Sequence, residues 1–539
     1  MKRSLSILLI AALLLSLAAC AGHGAGKTVY YPLAASPATL DPQFAGESGA
    51  QLVINNVFEG LTRLQPDGTA ASGLAERWEV SDDELTYTFY LQPGTEWYCP
   101  VVLKNEYGED FYKRFSEEKV TARDFVFALR RAANPATDAP CAHRLAVIEN
   151  ATAVLQGTLP PEQLGVSAPD DNTLVIRLAA PCPDLPVRLT ESVFMPCNED
   201  FFNATNGRYG LSNRHILCNG PFYVSAWDPE SGLTIKRNRY YSGSKALPAT
   251  VAFSFDGDPD SVLQKLAGGS LSAAMLPPEA AVPEDCTVAA RRENGFYGLV
   301  FNCSDALMQN SDLRVALCNS IDRDLFLTEE DGFTPERGFI PASCEAGGVS
   351  FRAAAGTQTA GLGRNTSAAV RHFSDALQTL NLERITVTLL SPDFLEAQAL
   401  RQVQLWQKTL GLNLTLNLEI LPPAEISSAV AKGNYQFAIT GLTADTADAG
   451  EFLAQFADGA VFRLQDDAFR QLTKKLLADV DDDAALRDCF DAESYLLQQG
   501  VCYPLYSRAS SFVIGKDVAD ITIAGAENTV SFLNAKRFD

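Results

Sequence analysis

Residues 394–440 read FLEAQALRQVQLWQKTLGLNLTLNLEILPPAEISSAVAKGNYQFAIT, and two secondary-structure periods alternate along them. Apolar residues at three- and four-residue spacing predict a helix over 394–410, which a glycine ends. Alternation of apolar and polar residues then predicts a half-buried strand over 412–420. A proline pair opens a second helix over 423–432, and a second strand follows over 435–440. Alternating helices and strands indicate an α/β fold.

Weaker signals of the same kind occur earlier in the chain. In residues 85–91 every second side chain is apolar, which predicts a strand. Thr121, followed three residues later by Asp124, predicts the start of a helix. The helix should continue over 125–133 and end at Asn134-Pro135, because a residue that precedes proline disfavours helical geometry.

Composition is that of a globular protein and excludes two classes of function. The 539 residues are 47% hydrophobic and 20% charged, and this length predicts more than one domain. Lys and Arg number 43 against 66 Asp and Glu, which gives a net charge of -23. Nucleic-acid readers and polybasic membrane-surface binders both need clustered cations. We therefore expect no nucleic-acid partner and no electrostatic membrane binding.

The N-terminus carries a targeting signal. A positive start, Met1-Lys2-Arg3, precedes residues 4–17, which are nearly all Leu, Ile and Ala. This is the layout of a secretory signal peptide, which we assign to residues 1–19. The Leu-Ala-Ala sequence before Cys20 resembles the bacterial lipobox, which implies cleavage there and attachment of lipid to Cys20. Residues 20–27 would then be a lipidated tether on the outer face of the cell membrane, in the periplasmic space if an outer membrane is present.

The residue patterns that metal or covalent chemistry needs are missing from the sequence. The chain has 4 His, with no His-Glu-x-x-His and no Cys-x-x-Cys, so we predict no metal site and no cofactor. Residues 46–50 lack the last glycine of a Gly-x-Ser-x-Gly motif. Catalysis by a pair of carboxylates stays open, because acidic residues are plentiful in the sequence.

The cysteines allow disulfides without determining them. Of the 12 cysteines, eleven follow Cys20, and an extracytoplasmic compartment permits pairing. Cys182 with Cys197 and Cys303 with Cys318 are candidate local pairs, but spacing alone does not fix connectivity. We expect most of the eleven to be buried free thiols.

Short motifs follow one another in a fixed order over nearly the whole chain. They are Thr39-Leu40-Asp41-Pro42, Val57-Phe58-Glu59-Gly60-Leu61, Leu74-Ala75-Glu76-Arg77-Trp78, Tyr87-Thr88-Phe89, residues 120–126, Asn219-Gly220-Pro221-Phe222, residues 236–241, Phe301-Asn302, residues 314–317 and Ile321-Asp322-Arg323. In this order they resemble the extracytoplasmic solute-binding proteins, family 5, of ABC importers for oligopeptides, dipeptides and nickel.

The resemblance implies an α/β, periplasmic-binding-protein-like fold of type II, from the large cluster with an additional subdomain. Two lobes would close on a ligand through a hinge where the chain crosses between them. The implied segments are 28–55, 180–298 and 505–539 for the first lobe, 56–179 for the additional subdomain, and 299–504 for the second lobe.

The resemblance also implies a ligand site. Peptide-binding members hold the main chain of the ligand as an added strand and its free amine on a buried aspartate. The matching residues here are Gly441, Leu442, Thr443, Ala444 and Asp445, with Asp445 at the amine-binding position. A carboxylate and an ammonium group in a closed cleft form a short, charge-assisted hydrogen bond. The alternative for Asp445 is a solvated carboxylate on a loop.

Several positions differ from the family pattern or are open to two interpretations. Leu442 stands where a Trp is common, Thr443 where some members have a disulfide Cys, and Ile439 where some have a basic residue for a ligand carboxylate. Glu47 either pairs with the ligand amine or is a surface acid. Residues 99–119 form an aromatic-rich insertion, which is either a lid over the cleft or a surface loop.

The resemblance implies a binding protein rather than an enzyme. The expected function is that of a lipid-anchored, monomeric receptor that captures oligopeptides and delivers them to the permease subunits of an ABC importer. One alternative is a receptor for another solute, such as a nickel chelate, an oligosaccharide or a signalling peptide. A sensor without a transport role is a second alternative.

Overall fold

The computed structural model describes residues 27–277, 280–326, 334–335, 338–356, 362–444, 448–457, 462–476, 482–507, 509–524 and 529–538. The predicted signal peptide, Cys20 and Asp445 lie outside these residues. The chain forms two compact units. Unit 1 takes in the described residues up to Ala290 and from Ser511 onward, and unit 2 is Arg291–Ser510. Among the described helices, none has the length and apolar character needed to cross a bilayer.

The strands, in chain order, are β1 Thr28–Leu33, β2 Thr62–Leu64, β3 Ala70–Ser72, β4 Ala75–Val80, β5 Thr86–Leu91, β6 Val166–Asp170, β7 Thr173–Arg177, β8 Phe222–Asp228, β9 Gly232–Arg237, β10 Thr250–Phe255, β11 Ala273–Leu276, β12 Thr287–Arg292, β13 Gly295–Phe301, β14 Thr334–Pro335, β15 Glu345–Ala346, β16 Val349–Ser350, β17 Ile385–Pro392, β18 Leu414–Leu421, β19 Phe437–Thr443, β20 Cys502–Ser507, β21 Ser510–Ile514, β22 Val518–Ala519, β23 Thr522–Ala524, β24 Thr529–Ser531 and β25 Lys536–Arg537.

The α-helices are Ser48–Val57, Val102–Tyr107, Glu109–Phe115, Ala122–Ala133, Ala151–Leu155, Leu185–Arg188, Glu199–Ala204 and Pro259–Ala267 in unit 1. Those of unit 2 are Ser311–Asn319, Phe351–Ala355, Thr366–Leu380, Glu396–Leu410, Pro423–Lys432, Ala449–Ala454, Asp467–Leu476 and Asp482–Gln498.

Unit 1 is built on three main sheets. Their strand orders are β1-β10-β9-β8, β4-β5-β7-β6 and β11-β21-β12. β1 is parallel to β10, whereas β10, β9 and β8 run antiparallel to one another. The third sheet contains both points at which the chain passes from one unit to the other, since these fall within β12 and β21.

Unit 2 is built around a six-stranded sheet with the order β14-β20-β13-β19-β17-β18. β17 is parallel to both of its neighbours, and β13 is antiparallel to both β19 and β20. Because side chains alternate across a strand, β13 contributes Phe296 and Val300 to the core on one face of the sheet. Leu299 and Phe301 belong to the core on the other face, so helices cover both sides.

The elements predicted for residues 394–440 are confirmed in type and order. The first helix begins two residues late, at Glu396, because a 3-10 turn over Asp393–Leu395 precedes it. The strand begins at Leu414 rather than at residue 412, because Gly411 turns the chain at a φ of +84° and leaves Leu412 90% exposed. The alternation of apolar and polar residues therefore begins two residues before the strand pairs with its neighbour.

The weaker predictions in the first half of the chain are also confirmed. β5 buries Tyr87, Phe89 and Leu91 on one face. Thr121 and Asp124 form a reciprocal capping box, in which the Asp124 carboxylate accepts the Thr121 N–H at 2.7 Å. The helix Ala122–Ala133 then ends directly before Asn134.

The chain passes between the units at 290/291 and 510/511, whereas the sequence placed these crossings at 298/299 and 504/505. The predicted positions fall inside β13 and β20, and both strands pair within the sheet of unit 2. The division of the first unit into a lobe and an additional subdomain over 56–179 stays a prediction.

The aromatic insertion is a packed helical segment. Its two short helices, Val102–Tyr107 and Glu109–Phe115, stack Tyr107 on Phe111 with ring centroids 4.4 Å apart. Phe115 is fully buried and meets Phe201 edge to face at 5.4 Å. These contacts attach the insertion to its own unit, so it is not an unstructured loop.

A buried ion pair joins the N-terminal segment to the helix Ala122–Ala133. Arg131 donates two hydrogen bonds of 2.6 Å to the two carboxylate oxygens of Asp41, and both side chains are 9% exposed. Its guanidinium also lies over the ring of Phe202, 4.5 Å from the centroid. Because both charges are almost fully removed from water, each needs an oppositely charged partner that also completes its hydrogen bonds.

The eleven cysteines after Cys20 all lie in the described part of the chain, where none is in a disulfide and most are buried. The expectation that most are buried thiols outside disulfides is confirmed. The candidate pairs Cys182 with Cys197 and Cys303 with Cys318 are not formed.

Candidate functional site

Four of the predicted ligand residues lie at one end of the six-stranded sheet. β13 begins at this end, and β19 and β20 finish there. Gly441 pairs with Tyr297, and Thr443 pairs with Gly295. The N–H of Ala444 donates to the Asn294 carbonyl at 2.7 Å, which carries the ladder one step beyond the strand. We call this region, residues 294–297, 441–444 and 506–507, the sheet end.

The predicted segment presents two different faces. Leu442 and Ala444 pack with Phe296 in one core, and Ala444 is buried. Gly441 and Thr443 are exposed. An extended stretch with an accessible backbone at the end of a sheet has the form that strand-adding ligands use.

Gly441 lies against an aromatic ring. A Cβ atom at this position would come within 3.0 Å of two ring carbons of Tyr297. Tyr297 in turn stacks on Tyr506 from β20, with centroids 5.4 Å apart and planes 2° from parallel. Phe394, which is 39% exposed, contacts the same ring at 5.8 Å.

Sequence reasoning missed these aromatic residues. Tyr297 and Tyr506 are 209 residues apart in the chain and meet only through the pairing of β13 with β20. No pattern within a single segment of the sequence indicates that contact.

Two buried side-chain oxygens at the sheet end have no hydrogen-bond partner among the residues that the structure describes. Asn294 is 7% exposed and its Oδ1 is unpaired. Ser507 is 3% exposed and its Oγ is unpaired. Ser507 lies directly opposite Phe296 on the neighbouring strand. Buried polar atoms are nearly always bonded in folded proteins, so each such exception needs a physical explanation.

The other predicted site residues are placed elsewhere. Glu47 lies in unit 1, where it is exposed and precedes the helix Ser48–Val57. Its carboxylate accepts the N–H of Ala38 at 3.3 Å. Asp445 follows Ala444 directly in the chain and lies outside the described residues, so its role stays a prediction.

One cluster outside the sheet end has the composition of a metal site. Asp312, His372 and Asp375 offer ligand atoms within 4.8 Å of one another. The His372 Nδ1 and an Asp312 carboxylate oxygen are 2.7 Å apart, which is the length of an ordinary hydrogen bond. The Arg371 guanidinium lies 3.5 Å from the other ring nitrogen, and this cation opposes metal binding there.

Comparison with known proteins gives a family. Residues 69–462 match the model described as bacterial extracellular solute-binding proteins, family 5 Middle. The chain is 25% identical over 506 residues to a dipeptide-binding protein of Lactococcus lactis subsp. cremoris, covering 88% of each. It is 24% identical over 495 residues to the dipeptide-binding protein DppE of Bacillus subtilis, covering 89% of this chain and 86% of that protein.

A solved structure supports the fold. The substrate-binding domain of an oligopeptide ABC transporter from Bacillus anthracis superposes with a TM-score of 0.70 at 24% identity, over 96% of this chain and all of that one. The predicted two-lobed, periplasmic-binding-protein-like fold is thereby confirmed. The family consists of binding proteins, which confirms that the protein is not an enzyme. The matched region covers well over half of the sequence, and the chain therefore belongs to the bacterial extracellular solute-binding proteins of family 5.

Proposed function

We propose that this protein captures oligopeptides at the sheet end of unit 2 and delivers them to the permease subunits of an ABC importer. The observation that carries the proposal is the exposure of Gly441 and Thr443 at the end of an extended strand in a member of a solute-binding family. A ligand held there through its main chain is bound without readout of its side chains. Such a receptor accepts peptides of many sequences.

Asp445 binds the ligand amine in this account. It follows the buried Ala444, which the hydrogen bond to Asn294 fixes at the sheet end. An ammonium group removed from water needs a carboxylate close by, and this charge-assisted bond is stronger than one between neutral groups. The proposed ligand is therefore a peptide with a free N-terminus.

Cys20 is the proposed lipid attachment site, and residues 20–27 are the proposed tether. Several acyl chains on one residue hold a protein to a membrane far more firmly than a single chain does. The predicted anchor would keep the receptor, which acts as a monomer, next to the importer that it serves. Labelling of growing cells with a radioactive fatty acid tests this point, because a Cys20→Ser variant should incorporate none.

A thermodynamic cycle tests the amine contact. A tryptic digest of casein first identifies the peptide that binds most tightly. Calorimetry then measures the affinity of this peptide and of its N-acetylated form for the wild type and for Asp445→Ala. Removal of either charge should weaken binding by about 2 to 5 kcal/mol, since each leaves the other charge unpaired. Removal of both should cost little more than removal of one.

Glu419→Ala is the matched control, because Glu419 is an exposed acid on β18 of the same sheet. It should leave the affinity unchanged. An Asp445→Ala variant that binds the free and the acetylated peptide as wild type does would exclude Asp445 from the site.

A further inference from the structure

The chain contains three Asn-Gly dipeptides, which differ in how far the fold encloses them. They are Asn206-Gly207, Asn219-Gly220 and Asn294-Gly295. Asn206 and Gly207 are exposed in the turn after the helix Glu199–Ala204, whereas Asn219 and Asn294 are 1% and 7% exposed. Asparagine is a labile residue, and most of all before glycine, because the next amide nitrogen can attack its side chain. Burial and hydrogen bonding therefore determine which of the three dipeptides reacts.

Neither of the two reacting groups in Asn206-Gly207 is held by the fold. The Gly207 N–H has no hydrogen-bond partner among the residues that the structure describes. A Cβ atom added at Gly207 would meet no heavy atom beyond its chain neighbours within 4 Å, so open space surrounds the turn. The side-chain amide of Asn206 makes one long hydrogen bond, of 3.3 Å, to the Ala204 carbonyl. The nitrogen and the side chain can therefore approach each other.

The same two groups are held in place in Asn219-Gly220. The Gly220 N–H donates to the Val57 carbonyl at 2.9 Å. Asn219 Oδ1 accepts the Glu59 N–H at 3.0 Å, and Asn219 Nδ2 donates to the Glu59 carbonyl at 2.9 Å. Attack by the Gly220 nitrogen would break these bonds and leave buried groups unpaired. The reaction should therefore be at least about tenfold slower here than in the open turn.

We propose that Asn206 is a site of spontaneous deamidation. The Gly207 nitrogen, after it loses its proton, attacks the Cγ atom of Asn206, and ammonia leaves as a cyclic imide closes. Water then adds to either carbonyl of the imide and opens it to aspartate or to isoaspartate. The net reaction converts the side-chain amide and a water molecule into a carboxylic acid and ammonia. This inference is independent of the proposed function.

The reaction changes both the charge and the backbone of the turn. Each product gains a carboxylate, and isoaspartate also lengthens the main chain between Asn206 and Gly207. The turn leads to Arg208, whose Nε donates to the Thr205 carbonyl at 3.1 Å. The guanidinium of Arg208 also lies 3.9 Å from the carboxylate of Glu106 in the aromatic insertion. Deamidation therefore places a negative charge two residues before a cation that contacts the insertion.

The experiment incubates the folded protein in water enriched in heavy oxygen, at neutral pH and at mildly alkaline pH. Trypsin then releases the three dipeptides in separate peptides for mass spectrometry, which are residues 189–208, 215–236 and 293–314. Heavy oxygen should enter at Asn206 at least about tenfold faster than at Asn219 or Asn294. The rate at Asn206 should rise with pH, because the attacking nitrogen must first lose its proton.

Two variants identify the source of the acidic form that should accumulate on isoelectric focusing of stored protein. Asn206→Gly removes the reacting amide, and glycine accepts the φ of +51° at this position. Asn381→Gly is the matched control, because Asn381 is also exposed and has a φ of +53°. The N–H that follows it, that of Leu382, is held by the Leu377 carbonyl at 3.0 Å. The acidic form should accumulate in Asn381→Gly as in wild type, and it should be lost in Asn206→Gly.

Unfolding supplies the reference rates. In urea the three dipeptides should react at similar rates, since each of them is then exposed and free of hydrogen bonds. Incorporation at Asn206 that is no faster than at Asn219 in the folded protein would overturn the inference. An acidic form that accumulates in Asn206→Gly as fast as in wild type would also overturn it, because another residue would then be the source.

Discussion

Replacement of Arg131 by Met removes one half of the buried ion pair that ties the N-terminal segment to the helix Ala122–Ala133. Met keeps the aliphatic part of the side chain but loses the charged guanidinium, which also lies over the ring of Phe202. The variant leaves the carboxylate of Asp41, which is 9% exposed, without the two 2.6 Å bonds that it accepts from Arg131.

The cost follows from the burial of both charges. Removal of one partner of a buried pair typically destabilises a protein by about 3 to 5 kcal/mol, chiefly because the remaining charge is uncompensated. Arg131→Met should fall in this range. The double variant with Asp41→Asn should lose less than the sum of the two single losses, since it leaves no unpaired charge.

Urea unfolding followed by tryptophan fluorescence measures these values. Trp78, Trp97 and Trp227 all lie in unit 1, so the signal reports mainly on that unit. Lys536→Met is the control, because its 2.8 Å pair with Asp520 is exposed and should contribute less than about 1 kcal/mol. A loss of under 1 kcal/mol for Arg131→Met would refute the reasoning.

Burial raises the pKa of Asp124 to about 7, so the free energy of unfolding should fall as the pH rises from about 4 through 7. In urea titrations at several pH values, Asp124→Asn should show a weaker dependence of this free energy on pH. The same pH dependence in both proteins would contradict this. Gly298→Ala places a Cβ in steric conflict with the carbonyl oxygen of Tyr503 on the neighbouring strand and should destabilise unit 2 by about 1 to 3 kcal/mol, whereas an unchanged urea midpoint would contradict this reasoning. Among the eleven described cysteines, rapid labelling by a thiol reagent should be confined to Cys286 and Cys303, which are only partly buried, and a third fast thiol among these eleven would contradict the structure.

Sequence patterns predicted the secondary structure well where interactions between residues close in the chain determine it. The helices and strands of residues 394–440 follow from side-chain periodicity and from the glycines and prolines between them. The error at Leu412 has a local cause too. Leu412 continues the alternation of apolar and polar residues that marks the strand. The turn at Gly411 nevertheless keeps Leu412 from pairing with the neighbouring strand and leaves it 90% exposed.

The sheet end was predicted only in part, because long-range pairing forms it. The family resemblance located residues 441–444, since that segment is continuous in the chain. Asn294, Tyr297 and Ser507 reach the same place through the register of β13 with β19 and β20. No pattern within a single segment predicts that register. Whether a buried oxygen has a hydrogen-bond partner can be judged only from the positions of all its neighbours in the folded chain.

The distinction between peptide and other ligands is open to direct measurement. The protein is purified from cells grown in peptide-rich medium and denatured, and the released small molecules are identified by mass spectrometry. The account predicts a mixture of peptides with free N-termini and varied side chains, at close to one molecule per protein. A single non-peptide solute at that stoichiometry, whether a metal chelate, a sugar or another small molecule, would contradict it.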